Sequence, residues 1–424
     1  MIDVPRTLAP SAGIATRYSL VPPRGGNPLW SSAVALAPVA GADPAEVPLS
    51  ALVAGANGHS RADALLRGAG EAVERRALHP DGRLGTVRGT AAALGRPALA
   101  AHDARNALAH PDAARAELDW YPATRLSDTA TVLVPAPLVD WPATAPGALF
   151  DPGPSGAASG GTADMALRSA LVEIVERDAF TTAWGRQLRL PCWTDPLAAV
   201  AGTPDRPTGE ALGVLWRRAV DEGVRTVFAH IPTAVDGLSC VVACLLEPER
   251  PGALVTVGMK ASDRAHDALL GALQEAWQVR AALEATLLDG PVADVPDPLV
   301  TEHDRIRYML TARARRAVRD WADGFVPATA PLRSSAVTTG AITAALLADG
   351  ADPHVVDLTP RLPDTVAAMG WHAVKVVPAG YQHLRMDETH AWSWNRSRLA
   401  SAPERTGCPA RLTDHRAAAP HPLP

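Results

Sequence analysis

The chain has 424 residues, 47% of them hydrophobic and 20% charged, with a formal net charge of −5. That is mass for two or three domains or one large fold, with enough apolar content for a sizeable core. The charge balance excludes a basic nucleic-acid or membrane-surface binder, no run reaches the roughly 18 apolar residues of a membrane span, and MIDVPRTLAPSAG has no signal-peptide pattern, so a cytoplasmic location is expected.

Residues 1–50 are rich in Pro and Ala with short apolar alternations, which predicts strands and loops. ADALLRGAGEAVERRAL at 62–78 predicts a helix, with Ser60 or Asp63 as its cap and His79-Pro80 as its stop. No clear element is legible over 81–130, and TVLVPAPLV at 131–139 predicts a strand. The glycine-rich DPGPSGAASGGT at 151–162 runs directly into a helix over about 163–184. A helix is predicted at 209–223. Three successive strands follow within 224–260, with turns at Asp236-Gly237 and 249–252. SDRAHDALLGALQEAWQVRAALEATLL at 262–288 predicts a long helix capped by Ser262 or Asp263, and another helix follows near 303–321. A helix-strand unit over 342–360 and a last strand at 371–380 precede a polar, Pro-rich segment of 40 residues. The pattern is α+β, with antiparallel-looking sheet and no composition break or short repeat.

The four cysteines form no CxxC pair. Cys240 and Cys244 lie an even number apart in an apolar run, which puts both on one strand face as small buried hydrophobes, not as half of a zinc site.

The stretch LVEIVERDAF (171–180) carries the chemistry. On a helix, Glu173, Glu176 and Arg177 project together, and so do Glu71, Glu74 and Arg75 of the earlier GEAVERRAL. Around the later helix, apolar residues cover most of the circumference, and the charged trio is confined to an arc of roughly 100°. A helix apolar nearly all round is buried, so its charges face a partner or a ligand; the alternative is an ordinary i,i+4 ion pair on a solvated face. Clustered carboxylates repel unless a cation sits between them, and Mg²⁺ with its preference for carboxylate and phosphate oxygens is the natural one. Glu275, with Gln278 at i+3, would complete the set. SGAASGG followed by Thr162 offers free N–H groups and a helix N-terminus as an anion site, without the GK[ST] of a Walker A loop.

GEAVER (70–75), SGAASGGTADMALRSALVEIVERDAFTTAW (155–184) and GMKASDRAHDALLGALQEAWQVR (258–280), together with the C-terminal PHPLP (420–424), resemble the YcaO family, in its azoline-forming branch. The resemblance implies one YcaO-type α+β domain over 1–424, mixed and antiparallel sheets packed with helices around a central ATP/Mg site. Its nucleotide-binding core would span about 50–290, and 291–424 would end in the Pro-rich tail. It implies an ATP-dependent cyclodehydratase: a Cys, Ser or Thr of a ribosomally made precursor peptide attacks the preceding carbonyl, ATP phosphorylates the resulting oxygen, and phosphate leaves. By matching position, Glu71, Glu74, Glu173, Glu176 and Glu275 become metal and ATP ligands. Arg75, Ser159, Arg177 and Gln278 become nucleotide contacts. Pro420 and Pro422 become a rigid approach for the terminal carboxylate of Pro424, a candidate base. The resemblance also implies a separate E1-like or ThiF-like leader-binding partner, a dehydrogenase as candidate partner, a homodimer, and no nucleic acid or membrane.

Departures from the family pattern set an alternative. Positions where the family often carries Asn and Glu are Gly161 and Met165 here, an expected Ser falls at Ala158 and another at Arg67. Either Asp164 substitutes for the missing carboxylate or the metal count drops. The alternative readings are a scaffold without ATP turnover and a thioamide- or macroamidine-forming sibling. His59 and His421 are the two histidines nearest the proposed machinery.

Overall fold

The computed structural model describes residues 2–38, 47–95, 97–142, 149–202, 205–288, 290 and 295–423. Strands β1 (Ala15–Val21), β2 (Trp30–Leu36) and β3 (Val53–Gly58) form an antiparallel three-stranded sheet in that order. Helix α1 (Arg61–Leu78) follows at once, started by Ser60, whose Oγ accepts the Asp63 N–H at 3.1 Å. The region that gave no sequence signal holds β4 (Val87–Gly89) and β5 (Leu118–Arg125). Three residues are too few to show a period, and Pro122 interrupts the alternation of β5. β6 (Thr131–Pro135) follows, and then β7 (Ala157–Gly160) inside the glycine-rich stretch.

Next come α2 (Ala163–Arg186), β8 (Pro191–Trp193), α3 (Arg206–Asp221), β9 (Arg225–Ile231), β10 (Ser239–Leu246), β11 (Val255–Ser262) and α4 (Ala265–Leu288). The single helix expected near 303–321 is two, α5 (Glu302–Met309) and α6 (Ala312–Ala322). The break falls at Thr311, whose hydroxyl accepts the Ala314 N–H at 3.2 Å and starts a new helix. The remaining elements are β12 (Val326–Pro327), α7 (Thr339–Ala348), β13 (Asp352–Asp357), β14 (His372–Ala379) and α8 (Arg396–Thr406). The first N–H of α4 is not capped locally: Ala265 donates to Ser334 Oγ at 2.9 Å, a partner far along the chain, while Ser262 Oγ takes the Arg264 N–H. Among the described residues no helix is long and apolar enough to cross a membrane.

A five-stranded sheet runs β11-β10-β9-β8-β12 and a six-stranded one β4-β5-β13-β14-β7, with β6 also paired to β5. The pairs are antiparallel except β8–β12, so the α+β class with antiparallel and mixed sheets is what the chain adopts. Helix α2 is packed by both sheets. Its Leu171, Ile174 and Val175 share one core with Val242 and Cys244 of β10 and with Val374 and Val376 of β14. That is why this helix is apolar nearly all round. Strand β10 is likewise buried on both faces. Cys240, Val242 and Cys244 face the α2 core, while Val241, Ala243 and Leu245 pack with Leu269, Ala272 and Trp277 of α4. Both cysteines are buried free thiols, as expected.

The polar C-terminal segment is held inside. Trp184 Nε1–H donates to the Ala419 carbonyl at 2.7 Å, and Leu423 lies in the α2 core. Helix α8 carries Arg398 to Asp178 of α2, a buried pair at 2.8 Å. Sequence patterning missed α8 because Pro403 sits inside it and its anchoring side chain is charged.

Strand β11 and helix α4 approach closely at Gly258, where an added Cβ would lie 2.3 Å from both the Ala272 carbonyl oxygen and the Ala276 nitrogen. Gly258→Ala is expected to cost about 1–3 kcal/mol, since backbone cannot yield as a side-chain tip does. Urea unfolding should show a lower midpoint at unchanged slope; an unshifted midpoint would contradict this packing.

Candidate functional site

Where α1, β7, α2, β11 and α4 converge, they line a cleft of about 630 Å³. Helix α1 supplies Glu71, Glu74 and Arg75; β7 supplies Ser159; α2 supplies Glu173, Glu176 and Arg177; α4 supplies Glu275 and Gln278. These nine residues, predicted from three separate segments, line the same cavity. Ser159 Oγ–H donates to the Gly70 carbonyl at 2.8 Å, which ties β7 to the acidic helix α1.

The cleft holds six glutamates, Glu302 included, against Arg67, Arg75, Arg177 and Lys260. Four of these carboxylates, Glu71, Glu173, Glu176 and Glu275, have a local partner. Arg75 Nη2 stands 2.7 Å from Glu71 Oε1, and Arg177 Nε 3.4 Å from Glu173 Oε1. The Ala261 N–H donates to Glu176 Oε2 at 2.5 Å, and the Met259 N–H to Glu275 Oε2 at 2.6 Å. Lys260 Nζ lies 3.9 Å from Glu176. Arg75 keeps Nη1 buried and without a partner.

These contacts do not fully offset the cost of crowding. Burial, then the Glu71 charge, pushes the Glu74 carboxyl well above its ordinary value. Glu173 is raised by burial and by Glu176, against the pull of Arg177. Glu275 is pushed up to about 7, chiefly by burial, with Glu176 adding and Arg177 opposing. Carboxyls raised in this way give up their protons to a metal cation.

Lys375 of β14, which sequence patterning did not single out, braces the backbone of the cleft wall. It is 3% exposed, and its Nζ–H groups donate to the Gly153 and Ser155 carbonyls at 2.7 Å each. Burial lowers it to about 8, and Glu173 and Glu74 oppose that shift. The chain has 40 Lys and Arg residues, of which only Lys260 and Lys375 are lysines, and both act on Glu173. That rarity was the available signal. Asp151 and His383 line a smaller cavity of about 50 Å³ that shares Gly153, Ser155 and Arg177 with the cleft. Burial raises the Asp151 carboxyl, but His383 and the N–H groups of Met386 and Asp387 outweigh it and hold it below its ordinary value.

The anion site expected at the glycine-rich stretch takes a different form. Residues 157–160 are strand β7, whose backbone pairs with β14, and the N-terminus of α2 does not line the cleft. Gly160 serves close packing, since a Cβ there would lie 2.7 Å from the Ala166 nitrogen. Asp164 and Met165 are exposed, and neither they nor Gly161 line the cleft, so Asp164 does not take the place of a missing carboxylate. Arg67 does line it, paired with Asp63 at 2.8 Å.

Pro420 and Pro422 are not brought to the cleft; the tail packs behind its wall. His421 is buried there, its carbonyl accepting from Arg305 Nη1 at 3.0 Å and its ring set edge-on to Phe180. Pro424 lies outside the described residues. His59 pairs with Asp63 at 2.9 Å and does not line the cleft.

Among the described residues, no three His, Cys, Asp or Glu side chains stand together so as to hold a metal ion by themselves. Mg²⁺ commonly uses one or two carboxylates and completes its shell with phosphate oxygens and water. A set of lining carboxylates, with Arg75 Nη1 buried and unpartnered, therefore fits a metal that arrives with a phosphate.

A family model described as "YcaO cyclodehydratase, ATP-ad Mg2+-binding" matches residues 55–382. No curated protein matches the chain. Among solved structures, a heterocyclase in complex with substrate and cofactor superposes with a TM-score of 0.73 at 18% identity, over 100% of this chain and 57% of that one. This chain thus spans little more than half of that relative's length. YcaO from Methanopyrus kandleri, bound with AMPPCP and Mg²⁺, gives 0.59 at 16% identity over 88% and 90% of the two chains. The E. coli microcin synthetase McbBCD complex with pro-MccB17 bound gives 0.59 at 13% over 85% and 86%. At these identities the structures establish a shared fold.

The raised Glu275 carboxyl has a measurable sign. Unfolded, it ionises near 4.5; folded, near 7. Between these values the unfolded chain loses a proton that the native protein keeps, so its contribution lowers stability as pH rises through that window. Glu275→Gln should therefore flatten the fall in unfolding midpoint between pH 5 and 8, without added Mg²⁺ or nucleotide; parallel profiles for the two proteins would refute the assignment.

Proposed function

The chain belongs to the YcaO family, a family of ATP- and Mg²⁺-binding cyclodehydratases, its model matching residues 55–382; on that premise we propose that it is an ATP-dependent cyclodehydratase that installs thiazoline or oxazoline rings in a ribosomally made precursor peptide. The observation that carries the reading is the convergence of Glu71, Glu74, Glu173, Glu176 and Glu275, from three helices, on one cleft. These five are the proposed metal and phosphate ligands, with Arg75, Arg177, Ser159 and Gln278 as nucleotide contacts. Bound Mg²⁺ supplies neutralisation of the charge that builds on the transferring phosphoryl group. Arg75 and Arg177 hold the carboxylates in place and offer N–H groups to phosphate oxygens. Lys375 fixes the Gly153–Ser155 backbone at the cleft wall.

The reaction class follows from the chemistry of the amide. Its oxygen is a very poor leaving group, and phosphorylation makes it a good one. A Cys, Ser or Thr side chain attacks the preceding carbonyl, ATP phosphorylates the oxygen of that adduct with release of ADP, and phosphate then leaves to give the ring. A heterocyclase solved in complex with substrate and cofactor and a microcin synthetase complex solved with pro-MccB17 bound support this reading. We take the leader-binding function to reside in a separate E1-like or ThiF-like protein, with a dehydrogenase acting afterwards and a homodimer as the assembly. The chain is read as one domain because α2 is shared between two sheets.

A second reading, a scaffold without ATP turnover, is favoured by one observation: Met165, where a family carboxylate is expected, is 55% exposed and outside the cleft. Co-expression with a Cys-rich precursor and its partner protein separates the two. The enzyme is expected to remove the mass of one water per ring and to hydrolyse ATP in step. Glu173→Gln should lower that turnover by about 100-fold, the share of barrier that a metal ligand supplies. A peptide of unchanged mass, with no stimulated hydrolysis, supports the scaffold.

A further inference from the structure

The side chain that closes the ring must lose its proton, and a carboxylate committed to a metal is not free to take it. His383 and Asp151 stand together beside the cleft. His383 Nε2 lies 3.9 Å from Asp151 Oδ2. The buried Asp151 carboxylate is fixed by the Met386 and Asp387 N–H groups, at 2.9 and 3.2 Å. A carboxylate only accepts, so it favours the proton on Nε2 and leaves Nδ1 as a lone-pair acceptor. His383 Nδ1 is buried and without a partner. The backbone that bears the ring is held as well: the Gln382 N–H donates to Asp178 Oδ1 at 2.9 Å, and Gln382 Nε2–H to the His383 carbonyl at 2.8 Å. An imidazole with a carboxylate at one nitrogen and the other bare is the arrangement of a general base.

Both residues line the cavity of about 50 Å³, whose walls include the apolar Leu108, Leu138, Ile174 and Val377. That is room for a few water molecules, and so for the short side chain of a Cys or Ser. The cavity meets the cleft at Gly153, Ser155 and Arg177. A side chain seated in the cavity leaves the preceding carbonyl in the cleft, where the phosphates would sit. The other charged groups lining the cavity are Arg177 of α2 and Lys375 of β14. As cations they accept no proton, which leaves His383 as the acceptor.

We propose that this cavity seats the cyclising side chain of the precursor and that His383 Nδ1 takes its proton; this rests on the cyclodehydratase reading above. The S–H or O–H bond breaks towards Nδ1 as sulfur or oxygen bonds to the preceding carbonyl carbon. The π pair of that carbonyl moves onto its oxygen, which then takes the phosphoryl group of ATP. The amide N–H proton is lost in the later step, as C=N forms and phosphate leaves with the C–O pair. Asp151 is a positioning residue, since it holds the tautomer that accepts at Nδ1.

The test uses the full chain with its partner protein and a precursor reduced to one Cys, beside the same peptide with Ser in its place. Each ring is read as the loss of one water. His383→Gln is expected to slow ring formation at Cys by about 100-fold at neutral pH, with Mg-ATP affinity unchanged. The deficit at Cys should narrow by about 10-fold as pH rises past about 8.5, where a thiol ionises unaided, and should persist at Ser. Lys375, lowered to about 8, titrates in both proteins and drops out of the ratio. Asp151→Asn should give the same split with a smaller deficit, and it decides the matter if His383→Gln does not unfold cooperatively. Nitrogen NMR of isotope-labelled histidines above neutral pH, assigned by difference from His383→Gln, should show Nε2 protonated and Nδ1 bare. A deficit at Cys that does not change with pH marks a structural role and overturns the proposal, as does a protonated Nδ1. Rings formed equally by the native protein and both variants also overturn it and leave the cyclodehydratase reading standing. No ring on either peptide from the native protein brings down that reading itself.

Discussion

Glutamates gathered in a cleft shielded from water repel one another, and the rest of the site is arranged around that repulsion. Two arginines one helical turn from their partners hold Glu71 and Glu173, and two backbone N–H groups of β11 hold Glu176 and Glu275. Glu74 and Glu275 nonetheless sit above their ordinary pKa, so the balance of charge is incomplete within the protein alone. A cation entering with phosphates completes it, and this is the physical sense in which the cleft is built for a metal-bound nucleotide.

That arrangement depends on α2. A helix exposed on one side would turn its charged arc to water, where an i,i+4 pair is worth a few tenths of a kcal/mol. Here two sheets cover most of its surface, and the arc that remains opens on the cleft. The same burial recruits the C-terminal segment, because Asp178 needs Arg398 and Trp184 needs an acceptor for its indole N–H. Arg305, wholly buried, joins the two sides of the wall: it donates to the His421 carbonyl behind it and to the Met386 carbonyl, while Met386 lines the cleft in front. Tail and cleft thus share one wall.

The glycines show how local composition misleads when read alone. SGAASGG suggested an anion cradle, because free N–H groups and a helix start coincide there. Its residues instead supply the edge strand paired with β14 and a close passage beneath α2. What holds the stretch is Lys375, more than two hundred residues later in the chain, whose Nζ–H groups donate to the Gly153 and Ser155 carbonyls.

By itself the sequence determined the acidic helices, their register and the residues that face one way, because a 3.6-residue period fixes which side chains share a face without any tertiary input. It also determined the three long strands whose apolar runs alternate between two cores. Tertiary structure alone decided that three helices point their charges at one place, that AASG is a strand, that Ser334 caps α4, and that Lys375, Asp151 and Gln274 belong to the site's surroundings. Those facts rest on contacts between residues far apart in the chain, made by short strands and single polar side chains. Such contacts leave no periodic trace, since their partners, not their neighbours, give them their role.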